Sequence, residues 1–311
     1  MSKQIFHFAD RLNEQIKKKD SAVCVGLDPR LEHIPNFIKE KHFAKEKDAF
    51  TAAAESFIEF NKGIIDAVFD LVPIVKPQIA FYEQYGAEGI RAFKETCDYA
   101  KKKGLLVLAD IKRGDIGSTA EAYAKAFLGK VDLNGKESES FNVDAVTVAP
   151  YLGWDGIKPF VVEAAKYGKG VFVLDKTSNP SSADLQDLQM NDGRTVYEII
   201  AHFIDSWGAD DVGESGYSLV GAVIGATFPQ QIVKLRALMP QTIFLVPGYG
   251  AQGGTADDVR AAFSEDFLGA IVNSSRGIIF AWESSDTFTE KDYGEAAREA
   301  TLTMLRDLRG E

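Results

Sequence analysis

Leu105-Leu106-Val107-Leu108-Ala109-Asp110-Ile111-Lys112-Arg113-Gly114-Asp115-Ile116-Gly117 is an apolar run that ends abruptly in alternating charge. Its first half is apolar at every position rather than at every second one, the pattern of a strand covered on both faces of a parallel sheet. In its second half Asp110 and Lys112 stand two apart, so they share a face if the strand continues, and Asp115 returns toward them after the turn at Gly114. Runs of the same kind recur at Ala22–Leu27, Val72–Lys76, Ala145–Val148, Val171–Leu174, Leu219–Ile224, Ile243–Val246 and Ala270–Val272. Helical patterns separate them over Lys47–Asp70, Glu88–Lys103, Thr119–Phe127, Gly156–Tyr167, Thr195–Trp207, Pro229–Leu238 and Thr255–Phe263. Pro229, and Trp154 or Asp155, are suitable helix starts. Eight strand–helix units predict an α/β fold, a closed (β/α)8 TIM barrel, with a doubly wound open sheet as the alternative.

No linker or internal repeat divides the chain, so one barrel domain is expected over residues 1–311. It comprises an N-terminal helix at 1–20, the barrel at about 21–280 and a helical segment at about 290–309. Lys130–Phe141, Asn179–Asp192 and Ala209–Ser218 are rich in turn formers and read as long solvated loops, any one of which could be a lid. The 311 residues carry 46 acidic and 35 basic side chains, a net charge of −11, with 45% hydrophobic residues. That apolar fraction supports a buried core, and the acidic surface opposes binding to nucleic-acid backbones. Two cysteines, Cys24 and Cys97, provide neither a disulfide scaffold nor a four-ligand zinc site. The first 20 residues hold no long apolar run, so neither a signal peptide nor a membrane span is expected, and a soluble cytoplasmic protein is.

In a barrel of this kind the chemistry gathers at the carboxyl ends of the strands. Those ends read Gly26-Leu27-Asp28-Pro29, Val75-Lys76-Pro77, the charged run after Ala109, Ala149-Pro150-Tyr151-Leu152-Gly153, Asp175-Lys176-Thr177-Ser178-Asn179-Pro180, Pro247-Gly248-Tyr249-Gly250-Ala251-Gln252-Gly253-Gly254 and Asn273-Ser274-Ser275-Arg276-Gly277. Asp110, Lys112, Asp115 and Lys76 alternate in sign. Opposite charges about 4 Å apart stabilise a protonated lysine by roughly 4 kcal/mol at an effective dielectric near 20. A lysine so held is a proton donor, and a carboxylate beside it repels the carboxylate of a bound substrate. The plain alternative is a salt-bridge cluster on the surface.

Gly248, Gly250 and Gly253 match G-x-G-x-x-G, but a dinucleotide fold places that motif after its first strand with an acidic residue ending the next. Bare backbone N–H groups at a helix start hold a phosphate instead, and the loops after the seventh and eighth strands are the usual phosphate site of such barrels. Arg276 would add a bidentate charge and Gln252 an amide. His7, His33, His42 and His202 show no ligand-like clustering, with His7 and His202 expected on helices. Asp28, Asp110 and Asp115 could ligate Mg²⁺, but the interleaved lysines compete for them. Cys24 reads as a small core residue.

Asp110-Ile111-Lys112-Arg113-Gly114-Asp115-Ile116-Gly117-Ser118-Thr119, a D-x-K-x-x-D segment, closely resembles the signature of the orotidine 5′-phosphate decarboxylases. Gly26-Leu27-Asp28, Lys76, Thr177-Ser178, the glycine loop from Pro247 to Gly254, and Arg276 follow in that family's order. Gly26-Leu27-Asp28-Pro29 and Pro150-Tyr151-Leu152-Gly153 resemble its longer, type 2 branch, and the likeness runs from about Ser21 to Phe280. The resemblance implies a cofactor-free, metal-free decarboxylase that makes UMP from orotidine 5′-monophosphate, without nucleic-acid or membrane partners. By that resemblance Lys112 protonates C6 of the pyrimidine and Asp110 lies against the leaving carboxylate. Lys76 and Asp28 hold ribose hydroxyls. Asp115 and Thr119 act from the partner subunit of a homodimer. Ser178 faces the pyrimidine amide edge, with Tyr151 and Asn179 as further candidates, and Gln252 and Arg276 grip the 5′-phosphate. Two alternatives stand beside it. One is a metal-dependent sugar-phosphate lyase or aldolase of the same superfamily; the other is a phosphometabolite-binding protein without catalysis, which would have no need of Lys112 between two aspartates.

Overall fold

The computed structural model describes residues 7–250 and 253–311. Its eight barrel strands are β1 (Val23–Leu27), β2 (Ile74–Pro77), β3 (Leu106–Arg113), β4 (Ala145–Val148), β5 (Gly170–Leu174), β6 (Val220–Val223), β7 (Phe244–Pro247) and β8 (Ala270–Ser274). They close into a barrel in the order β1-β8-β7-β6-β5-β4-β3-β2, which rules out the open doubly wound sheet. The pairings are parallel, with Cys24 opposite Ile74, Ile74 opposite Leu106 and Ala145 opposite Gly170. Strands β1, β2, β4 and β6 are buried at every position, Lys76 and Thr147 included, as a sheet covered on both faces requires.

Helices return the chain between strands where the sequence carries start signals. Asp48 Oδ2 accepts from the Thr51 amide at 2.7 Å ahead of Ala49–Val68, and Thr195 with Glu198 forms a capping box ahead of Val196–Gly208. Pro229 opens Pro229–Leu238. The expected helix at Thr255–Phe263 is only Ala256–Val259 followed by a 3-10 turn, Arg260–Ala262. The loop Lys130–Phe141 contains a two-stranded ribbon, Val131–Asp132 with Glu137–Ser138. His7 stands just ahead of the first helix (Phe8–Lys19) rather than on it, where its Nδ1 accepts from the Ala9 amide.

Packing groups the chain into two compact units: residues up to Lys17 with Lys112–Asn273, and Lys18–Ile111 with Ser274–Glu311. In the first, the Phe8 ring meets Phe172 edge-on at 5.9 Å, and Gly170 makes room for it, since a Cβ there would stand 2.4 Å from the Phe8 ring. Arg11 is paired with Asp144 at 2.9 Å. In the second, the C-terminal helix Tyr293–Arg309 is fixed by a bidentate Arg298–Asp70 pair and by Tyr293 stacked on Phe60 at 5.2 Å. A buried hydrogen-bonded chain runs Thr96–Asn61–Tyr82, and the Tyr82 hydroxyl donates to the Leu27 carbonyl at the end of β1.

Candidate active site

The unit holding β1, β2 and most of β3 carries a buried ion pair. Lys76 Nζ donates to Asp110 Oδ2 at 2.8 Å, with the two residues 4% and 5% exposed. A dry ion pair is stable only with good geometry and its other polar atoms satisfied. Gln78 helps to meet that demand, its Nε2 donating to the same Oδ2 at 2.9 Å. Burial works against the Lys76 ammonium, but the Asp110 and Asp28 carboxylates outweigh it and hold the pKa above that of an ordinary lysine. Cys24 lies in the same field as a core residue, its thiol pushed up to about 12 by burial. Asp28, at the end of β1, has Oδ1 buried with no hydrogen-bond partner among the described residues. Gly26 is required by its neighbour, because a Cβ would stand 1.9 Å from Ser275 Oγ. That close approach sets Ser275 against β1 and starts the turn Arg276–Ile279, on which Arg276 is exposed.

Lys112 belongs to the other unit and has a feature the period-two reading missed. Its backbone lies in the left-handed region, φ +44°. A side chain there departs from strand alternation, so the rule that put Asp110 and Lys112 on one face does not carry through residue 112. The conformation is held by β4: the Lys112 amide donates to Thr147 Oγ1 at 3.0 Å, and the Ala149 amide to the Arg113 carbonyl at 2.9 Å. Strained backbone persists where its surroundings over-determine it, and it concentrates at functional sites. The Lys112 side chain is exposed, Asp115 is half-buried and accepts from its own neighbour's amide, Ile116, at 2.8 Å, and Thr119 is exposed on Gly117–Phe127.

Ser178 follows β5 in a closely seated turn. Gly225 has no room for a side chain, since a Cβ would lie 2.8 Å from the Ser178 backbone, and Thr227 Oγ1 donates to the Ser178 carbonyl at 3.4 Å. The glycine loop differs from expectation. Gly248, Gly250 and Gly253 have φ of +101°, +67° and +93°, but the amides of Gly250, Gly253 and Gly254 donate to carbonyls within the loop. The helix that follows is closed by its own Thr255–Asp258 capping box. The bare amides expected at a helix start are therefore largely engaged. Gln252 lies outside the described residues. Among the described residues no group of three or more His, Cys, Asp or Glu is placed to hold a metal.

Three residues received no role from the sequence. Gln78 stands two past Lys76 in the same period-two register, and Thr147 is the one polar side chain in Ala-Val-Thr-Val; both left a signal. Asp175, at the exit of β5, is 1% exposed, and neither carboxylate oxygen is hydrogen-bonded among the described residues. Burial pushes its carboxyl well above the usual range, against the opposing pull of Lys176. The folded state thus favours protonated Asp175, and its stabilising share is lost as pH rises above the ordinary carboxyl value near 4. The Tm of Asp175→Asn minus that of the parent is expected to grow from pH 4 to pH 8 in thermal melts; a constant difference would contradict a neutral Asp175.

Comparison with known proteins supplies the frame for these residues. Residues 21–287 match the profile of the orotidine 5′-phosphate decarboxylase / HUMPS family. The chain is 47% identical over 306 residues to an orotidine 5′-phosphate decarboxylase of Rhodopirellula baltica, covering 97% of this chain and 99% of that one. It is 44% identical over 280 residues to the protein of the same name from Caldicellulosiruptor bescii, covering 90% and 92%. Among solved structures, the OMP decarboxylase of Leishmania donovani superposes with a TM-score of 0.72 at 31% identity, over 98% of each chain. None of these relatives supports a metal-dependent sugar-phosphate lyase. With its profile matched from the first strand past the last, and relatives aligned over nearly its whole length, this chain belongs to the orotidine 5′-phosphate decarboxylase / HUMPS family.

Proposed function

We propose that the chain converts orotidine 5′-monophosphate to UMP and CO2, the last step of de novo pyrimidine synthesis, as a single barrel domain without cofactor or metal. The observation that carries the reading is the buried Lys76–Asp110 pair, two residues before a lysine held in strained backbone. Asp110 is fixed as an anion by Lys76 and Gln78 and lies against the substrate carboxylate. The C6–carboxylate bond breaks with its electron pair left on C6, CO2 departs, and the Lys112 ammonium gives C6 its proton. A cation preorganised where negative charge develops acts most strongly in a site closed to water. Lys76 and Asp28 hold the ribose hydroxyls, the unpartnered Asp28 Oδ1 being a ready acceptor. Ser178 meets the pyrimidine amide edge, while Gln252 and Arg276 grip the phosphate.

The active unit is a homodimer in which Asp115 and Thr119 serve the partner's site. Support comes from the surface beside them: Ile116, Tyr151 and Leu152 are 54%, 83% and 45% exposed, an apolar group that a second copy would cover. The substrate and product are small, and the protein acts in the cytoplasm with neither nucleic acid nor membrane as partner. Among the described residues no helix is long and apolar enough to cross a membrane.

The test is the loss of orotidine 5′-monophosphate absorbance in the ultraviolet, with and without EDTA. Turnover unaffected by the chelator is expected; no turnover, or turnover that needs added metal, would overturn the reading. In the same assay Arg276→Ala should weaken turnover of the phosphorylated substrate by about 10²-fold or more, as loss of a charge-assisted bidentate contact implies. The phosphate-free nucleoside should be nearly unaffected, and equal losses on both would remove Arg276 from the phosphate grip.

A further inference from the structure

Lys176, two residues before Ser178, is 0% exposed. A buried ammonium is tolerable only when paired and hydrogen-bonded. Among the described residues, both hydrogen-bond partners of its Nζ come from the loop that follows: Asp187 Oδ1 at 2.6 Å and Ser182 Oγ at 3.2 Å. The rings of Phe228 and Tyr197, with centroids 4.5 Å and 5.7 Å away, complete the enclosure. The lysine is therefore satisfied only when residues 180–187 fold back over it.

The same loop is tied to the residue before Ser178. Gln186 Oε1 accepts from the Thr177 amide at 3.0 Å, and Gln186 Nε2 donates to Thr177 Oγ1 at 2.8 Å. Gln186 is itself fixed, its amide donating to the Ser182 carbonyl and its carbonyl accepting from the Tyr197 amide. On the other side the Gly225 amide donates to the Lys176 carbonyl at 2.7 Å. Thr177 and Ser178 are thus gripped between Gly225 and a loop whose fold-back answers the charge of Lys176.

We propose that Lys176, through its buried ion pair with Asp187, is a positioning residue that sets Ser178 for the substrate's pyrimidine. The inference rests on the assignment of Ser178 to the pyrimidine edge. Asp187 sits on the half-exposed side of the pair, at 38% side-chain exposure, so Asp187→Ala removes the anchor without opening the barrel. Calorimetry with UMP and with ribose 5-phosphate separates the base from the phosphate. Asp187→Ala is expected to weaken UMP about tenfold, the size of a displaced hydrogen bond, and to leave ribose 5-phosphate unchanged. Asp187→Asn, which keeps an acceptor for Nζ, should fall between, and it carries the test if the alanine variant does not fold. Unchanged UMP binding, or equal losses on both ligands, would overturn the proposal. Hydrogen exchange gives a readout that needs no substrate: the Thr177 and Tyr197 amides should exchange faster in Asp187→Ala, and retained protection would overturn the anchor. A parent protein that fails to bind UMP would overturn the functional reading instead.

Discussion

Lys112→Ala is expected to lower kcat/KM for orotidine 5′-monophosphate by at least about 10³-fold, while the melting temperature moves by no more than about 2 °C. The two expectations have separate sources. A positioned general acid contributes roughly 10²–10⁴ in rate, and the same ammonium stabilises the carbanion before the proton moves. The side chain is exposed, so little packing is lost, and the backbone bond to Thr147 does not involve it. Lys112→Gly separates chemistry from backbone. A left-handed conformation costs a non-glycine residue roughly 1–2 kcal/mol, so the glycine variant should be at least as stable as the alanine variant and equally inactive. Ultraviolet assay and thermal melts on the pair check this together. Turnover close to the parent's in either variant would remove Lys112 as proton donor.

Where side-chain pattern alone sets the structure, the sequence was legible. Ala145–Val148 is read end to end because a short β-branched run, apolar apart from Thr147, is bounded by Asp144 and by the turn at Pro150. The change from apolar to charged residues at Asp110 does not end the third strand, which runs to Arg113 because β4 supplies hydrogen bonds to residues 112 and 113. Charge marks where a strand meets water, not where its ladder ends. The left-handed turn at Lys112 was illegible for a related reason: nothing in a lysine announces positive φ, which surrounding structure imposes. The glycine loop shows the opposite error. Glycines were read as freeing amides for a ligand, and here the freedom lets the chain fold back and use those amides itself. The charges of the site were visible as residue types at strand ends. Their pairing was visible only in part: Lys76 and Asp110 were grouped as alternating charges, whereas Gln78 completes the pair and Lys176 pairs with a residue eleven positions on, across a loop whose path no local pattern dictates.

Asp110→Asn should reduce decarboxylation by roughly three orders of magnitude, because the carboxylate does two things at once. Set beside the substrate carboxylate at about 4 Å, it raises the bound ground state by about 4 kcal/mol at an effective dielectric near 20, a repulsion relieved as CO2 leaves. It is also the charge partner of a lysine with 5% of its side chain exposed. Removing one member of a buried pair strands the other, at about 3–5 kcal/mol, so Asp110→Ala should be markedly destabilised in urea titrations. Replacing both members by apolar residues of similar volume is often near neutral, so Lys76→Met with Asp110→Leu should regain most of the stability that Asp110→Ala loses. It should regain none of the activity. That divergence separates the two roles: a double variant whose turnover returned along with its stability would mean that Asp110 only holds the barrel end together, and the electrostatic account of decarboxylation would have to be given up.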